Sequence, residues 1–222
     1  MKNEISESLK ETLKSEINDL TIDYIELGLD KFLDDGIFKE IPFVRTAISL
    51  FKIGKTVHDA LYVRNLFIFL RELKAKNVSE STLDKHKKRC KNCHQLEKEL
   101  EYVLIYCDRV VEQENVKYVA ELYFSLLENK INFEEFVLFL SVLDNLLPGD
   151  IDFMLQNSAV SMNINCVNSR FLRLSGLGLM FKTNGKLVGP AFGNVKNIET
   201  SLMDITFTRS HFGTEFLTAI GK

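Results

Sequence analysis

Arg170-Phe171-Leu172-Arg173-Leu174-Ser175-Gly176-Leu177-Gly178-Leu179-Met180 marks the change from one kind of sequence to another. Residues 168–177 read as a short helix, and Leu172, Leu174 and Leu177 on it, with Leu179 just beyond, are expected to enter a core. Gly178 falls just past the helix end, where a left-handed backbone costs glycine little. Beyond it, residues 178–182 and 186–188 read as strands around Asn184-Gly185, a type I′ hairpin signal. Residues 203–208 alternate as a further strand, and 211–220 can close as a helix. Gly, Asn, Ser and Thr become frequent only after Asn157.

Upstream of that change the period is helical. Ile5, Leu9, Leu13, Ile17 and Leu20 recur at spacings of three and four, so residues 4–34 hold one or two amphipathic helices. Pro42 is placed to open a helix. The apolar residues from Phe43 through Leu73, interrupted at Gly54, make one long core helix or two. Residues 81–112 read as one helix, basic at its start and apolar at its end. Helices over 115–128 and 132–147 follow, the second capped by Asn132 with Glu134 and Glu135 in its first turn. A short one occupies 150–156. Only 3 prolines occur in 222 residues, which suits such helices.

Charge is uneven along the chain. Residues 71–98 carry 9 basic and 4 acidic side chains, whereas 99–156 carry 3 basic and 12 acidic ones, within a net charge of -3. An acidic middle argues against nucleic acid wrapping the whole protein and leaves only local basic patches, such as 85–91, for phosphate. The N-terminal stretch is acidic and amphipathic and has no apolar signal-peptide region, so we expect a cytoplasmic, reduced chain.

The tail, residues 148–222, resembles the winged-helix superfamily. The resemblance is carried by Arg170–Met180, with its Leu177-Gly178-Leu179 exit, and by Thr206-Phe207-Thr208-Arg209-Ser210-His211-Phe212-Gly213-Thr214-Glu215-Phe216-Leu217. It implies a small winged-helix-like α/β domain over 148–222, which with the helical period upstream gives a mainly α fold with a helical bundle over 1–147. If such a tail reads DNA, the implied contacts are Asn168, Ser169, Arg170 and Arg173 on the helix and Lys182 and Lys186 on the wing. Winged helices also dock on proteins, and fold does not fix function. The stretch Ile41-Pro42-Phe43-Val44-Arg45-Thr46-Ala47, continuing to Asp59-Ala60-Leu61, resembles uncharacterised bacterial helical proteins of phage-defence or mobile-element settings.

One cluster has metal-like chemistry, His86-x3-Cys90-x2-Cys93-His94. Thiolates and imidazoles are zinc donors, and on a continuous helix His86, Cys90 and Cys93 share a face. The distant second pair of a zinc finger is missing, since Cys107 and Cys166 stand alone, so we expect no metal and no other cofactor. Residues 124–135 lack the ligands and glycine of a calcium loop. No phosphate-binding glycine motif and no nucleophile beside its base is evident.

Three functions compete. The favoured reading is a non-enzymatic interaction or regulatory protein with a protein partner or a second copy of itself. A regulator binding duplex DNA through the tail is the second, and a membrane-acting effector using residues 37–76 is the third. Residues 37–53 number 17 and hold Arg45 and Lys52. As a helix they reach about 25 Å, short of a hydrocarbon core of about 30 Å. The native chain should therefore fractionate wholly with soluble protein; salt-resistant pelleting with membranes would overturn that expectation.

Overall fold

The computed structural model describes residues 4–14, 41–51, 56–90, 94–163, 167–184 and 204–222. Among these, helices α1 (Glu4–Lys14), α2 (Pro42–Phe51), α3 (Val57–Ala75), α4 (Glu80–Arg89), α5 (Gln95–Arg109), α6 (Gln113–Leu127), α7 (Phe133–Asn145) and α8 (Asp150–Gln156) come first. Strand β1 (Ala159–Asn163), helix α9 (Ser169–Gly176), strands β2 (Met180–Asn184) and β3 (Asp204–Arg209) and helix α10 (His211–Ala219) complete the order. The chain is thus mainly helical, with a small antiparallel sheet near its C-terminus. It divides into two compact units, Met1–Ser141 and Val142–Lys222.

In the first unit α3 is the central element. Leu66, Phe67, Ile68, Phe69 and Leu70 are consecutive and all buried, so no face of that stretch meets water. Thr56 and Asp59 cap its start reciprocally. It packs against α6, α5 and α2, while α1 packs against α2, α5 and α4. A chain of rings links four helices: Phe43 to Phe69 at 6.3 Å, Phe69 to Tyr123 at 5.8 Å and Tyr123 to Phe136 at 6.1 Å. Such pairs add about 0.5–1.5 kcal/mol each beyond the area they bury. Buried Asn65 donates to Cys107 O at 2.9 Å and Val110 O at 2.7 Å, satisfying carbonyls at the end of α5.

The helix expected over 81–112 is two helices. Cys90 ends α4 in extended backbone, and α5 begins at Gln95. The run Lys85–Arg89 has no apolar stripe to bury, and its cations favour a C-terminus. Ser79 does cap α4 in a reciprocal box, with Thr82 rather than an acid as its partner. Asn132 and Glu135 cap α7 in the same reciprocal way.

In the second unit the strand order is β1-β3-β2, antiparallel throughout. Ile205 and Phe207 alternate inward on β3. Phe207 meets Phe171 at 4.8 Å, and Phe171 meets Phe153 edge-on at 5.3 Å, so sheet, α9 and α8 share one core. Leu174 and Leu179 are buried as expected, but Leu172 is 64% exposed. An eight-residue helix has one inner face, and Phe171 and Leu174 occupy it. Strand β1 was not anticipated; Ala159–Asn163 is short and only partly covered. The Asn184-Gly185 turn and the strand at 186–188 fall outside the described residues.

Gly213 is fixed by close packing. A Cβ there would meet the Leu179 carbonyl oxygen at 2.2 Å, whereas one at Gly176 meets nothing within 4 Å. G213A should therefore destabilise the C-terminal unit by about 1–3 kcal/mol, the usual cost of overpacking. In urea titrations of both variants, G176A should be neutral or slightly stabilising.

Candidate functional site

The first unit brings together His86, Cys90 and Glu99. His86 lies in the last turn of α4 and Cys90 is its C-cap, with Cys90 N–H donating to His86 O at 3.1 Å. The break after Cys90 lets α5 return beside α4 and delivers Glu99. One donor atom from each of the three lies within 4.8 Å of the others. Glu99 is fully buried and His86 nearly so. His86 Nε2 is 2.7 Å from Glu99 Oε2, and Gln95 Nε2 donates to Glu99 Oε1 at 2.9 Å.

His86 and Cys90 also line a cavity of about 410 Å³, together with Arg89, Gln95, Asn132 and Phe133 among others. Arg89 closes one side by donating to the Leu127 carbonyl. Among the described residues, the buried Tyr123 hydroxyl has no hydrogen-bond partner. Burial pushes its pKa well up, and the charges of Glu99 and Cys90 push the same way. Burial, then the charge of Glu99, raises the Cys90 thiol to about 11. A thiol held protonated is a poor nucleophile, which argues against cysteine catalysis here.

Sequence reasoning singled out His86, Cys90 and Cys93. The structure groups the first two, Cys93 lies outside the described residues, and Glu99 was missed. A signal for it existed: Glu99 stands three residues after Leu96 and four before Val103, on the buried stripe of α5.

The tail residues have different surroundings. Asn168 is the N-cap of α9, its side chain accepting from Arg170 N at 3.0 Å and Phe171 N at 3.4 Å. Ser169 is exposed at the first helical position. Arg170 Nε donates to Asp150 Oδ1 at 3.0 Å, and its guanidinium lies over the Phe153 ring. Arg173 grips the same carboxylate twice, Nε to Oδ2 and Nη2 to Oδ1, both at 2.9 Å. Lys182 is exposed on β2, and Lys186 is outside the described residues. The two arginines thus join α9 to α8 through a carboxylate that is fully buried.

Desolvation pushes the Asp150 carboxyl up, but the Arg173 hydrogen bonds, the Leu147 N–H and the two guanidinium charges outweigh it, and its pKa lies below the ordinary 3.8. A depressed carboxyl stabilises the fold above its unfolded pKa, and that stabilisation disappears as pH falls through the folded value. Stability of the C-terminal unit should therefore drop below about pH 4. D150N should cost about 3 kcal/mol at neutral pH, the low end for breaking a buried pair because both guanidiniums reach water. It should also remove this part of the acid sensitivity, as read by thermal melts across pH.

Compared with known proteins, the chain matches no family model, and neither a curated protein nor a solved structure is significantly similar to it.

Proposed function

We propose that this is a non-enzymatic interaction or regulatory protein of the cytoplasm, whose winged-helix-like C-terminal unit docks on protein. The observation that carries this reading is the division of labour on α9. Its two cations, Arg170 and Arg173, are held by Asp150, while its large apolar Leu172 is 64% exposed. On the next strand Phe181 is 47% exposed. DNA-reading helices present arginine, lysine or asparagine to base edges, and a large apolar residue between them has no phosphate to meet. Protein interfaces favour apolar and aromatic anchors. The antiparallel order β1-β3-β2 with a helix before β2 and another after β3 supports a winged-helix-like arrangement. Five residues separate β1 from α9, from 164 to 168. No helix among the described residues is long and apolar enough to cross a membrane. The setting in phage defence or mobile elements rests on the resemblance of residues 41–61 alone.

The test uses the full chain and three measurements. Duplex DNA at low salt should show no affinity, and K182E should change nothing. Association with a copurifying protein, or self-association by sedimentation, should be lost in L172D while folding is retained. Duplex binding that weakens in K182E and survives in L172D would replace this reading with a DNA-binding one. Substituting Arg170 or Arg173 is less informative, because a glutamate there would face Asp150 and disturb the fold itself.

A further inference from the structure

We propose that His86, Cys90 and Glu99 bind a zinc ion at the turn between α4 and α5, with one coordination position left toward the cavity that His86 and Cys90 line. The donor set is imidazole nitrogen, thiolate sulfur and carboxylate oxygen, all of which zinc accepts. All three lie within 4.8 Å of one another and come from two helices of the same unit. Donors about 2.0–2.3 Å from a tetrahedral ion stand about 3.5 Å apart. Ion entry therefore draws Cys90 inward and opens the 2.7 Å contact between His86 and Glu99.

Charge gives the second argument. Glu99 is fully buried, and beside it sits a cysteine, a second group that carries negative charge when it ionises. Once that cysteine ionises, a thiolate beside a buried carboxylate is an unfavourable pair in a protein interior unless a cation joins them. Zinc with a neutral histidine, a thiolate and a carboxylate sums to zero net charge.

The surroundings give the third. Gln95 occupies Glu99 Oε1 and leaves Oε2 turned to His86, the outer-shell arrangement that orients a ligating carboxylate. The fully buried Tyr123 hydroxyl, which has no hydrogen-bond partner among the described residues, is within electrostatic reach of Glu99 and Cys90. A buried phenol left unpaired costs free energy, and a thiolate or carboxylate fixed on an ion would give it an acceptor. The cavity of about 410 Å³ supplies the route by which an ion and a water or small anionic ligand reach the open position.

Untagged full-length protein, stripped with chelator and dialysed, is titrated with zinc and, in parallel, with cobalt. One ion per chain by elemental analysis is expected, with thiolate-to-cobalt charge-transfer absorption and a rise in melting temperature on zinc addition. C90S keeps the His86–Glu99 contact and the helix end, so it should fold. It should lose the charge-transfer band and bind zinc at least about 100-fold more weakly, more than an outer-shell change costs. C93S should keep both. A melting temperature and absorption that zinc and cobalt leave unchanged would overturn the site. So would binding that C93S abolishes and C90S does not. E99Q separates ion from proton: it should weaken zinc binding while leaving the metal-free melting temperature less affected than the zinc-loaded one. Equal losses in both states would overturn the assignment of Glu99. None of these readouts depends on what the C-terminal unit docks on.

Discussion

Helix α5 carries two carboxylates into the interior of the first unit, and the arrangement around it follows from the need to satisfy them. Glu97 and Glu99 are two residues apart and so point to different neighbours. Glu97 accepts from Ile5 N at 3.1 Å and Ser6 N at 2.9 Å, which are orphan donors at the start of α1. Glu99 meets His86 of α4. An unsatisfied buried carboxylate would cost several kcal/mol, so α1 and α4 cannot leave their places without exposing that cost. The end of α5 is held in turn by Asn65 of α3. Around these polar fixtures the apolar core is generic: the ring chain from Phe43 to Phe136 supplies area, whereas the acids supply position.

The same device recurs in the second unit. Asp150 is fully buried at the start of α8, and Arg170 and Arg173 reach it from α9. One carboxylate thereby fixes the orientation of a helix only eight residues long, too short to be stable by itself. It also settles which way the helix faces. With both arginines engaged by Asp150 at their inner edge, Leu172 is left 64% exposed on the same helix.

The two candidate sites differ in kind. The α9 arginines are satisfied and structural, and their chemistry is complete within the fold. The His86–Cys90–Glu99 group sets a thiol within reach of a buried carboxylate, and in the same unit the buried Tyr123 hydroxyl has no hydrogen-bond partner among the described residues. Incompletely satisfied polar clusters in an otherwise well-packed interior are where a ligand's contribution is greatest.

Period and punctuation were legible in the sequence. Apolar spacing located α3, α6, α7 and the closing helix, Asn132 announced its cap, and the leucines around Gly178 located the end of α9. Mainly helical character with a small sheet at the C-terminus followed from those local signals, because each depends on residues within one turn or one strand of each other. What tertiary structure alone decided was the partner of each buried charge. Glu99 stood on the apolar stripe of α5, but nothing local said that the chain would break after Cys90 and return it to His86. Arg170 and Arg173 looked like a nucleic-acid surface because their partner, Asp150, lies on another helix, on the far side of β1. Leu172 looked like core for the converse reason. Spacing fixes which residues share a face; only packing between elements fixes which face is covered.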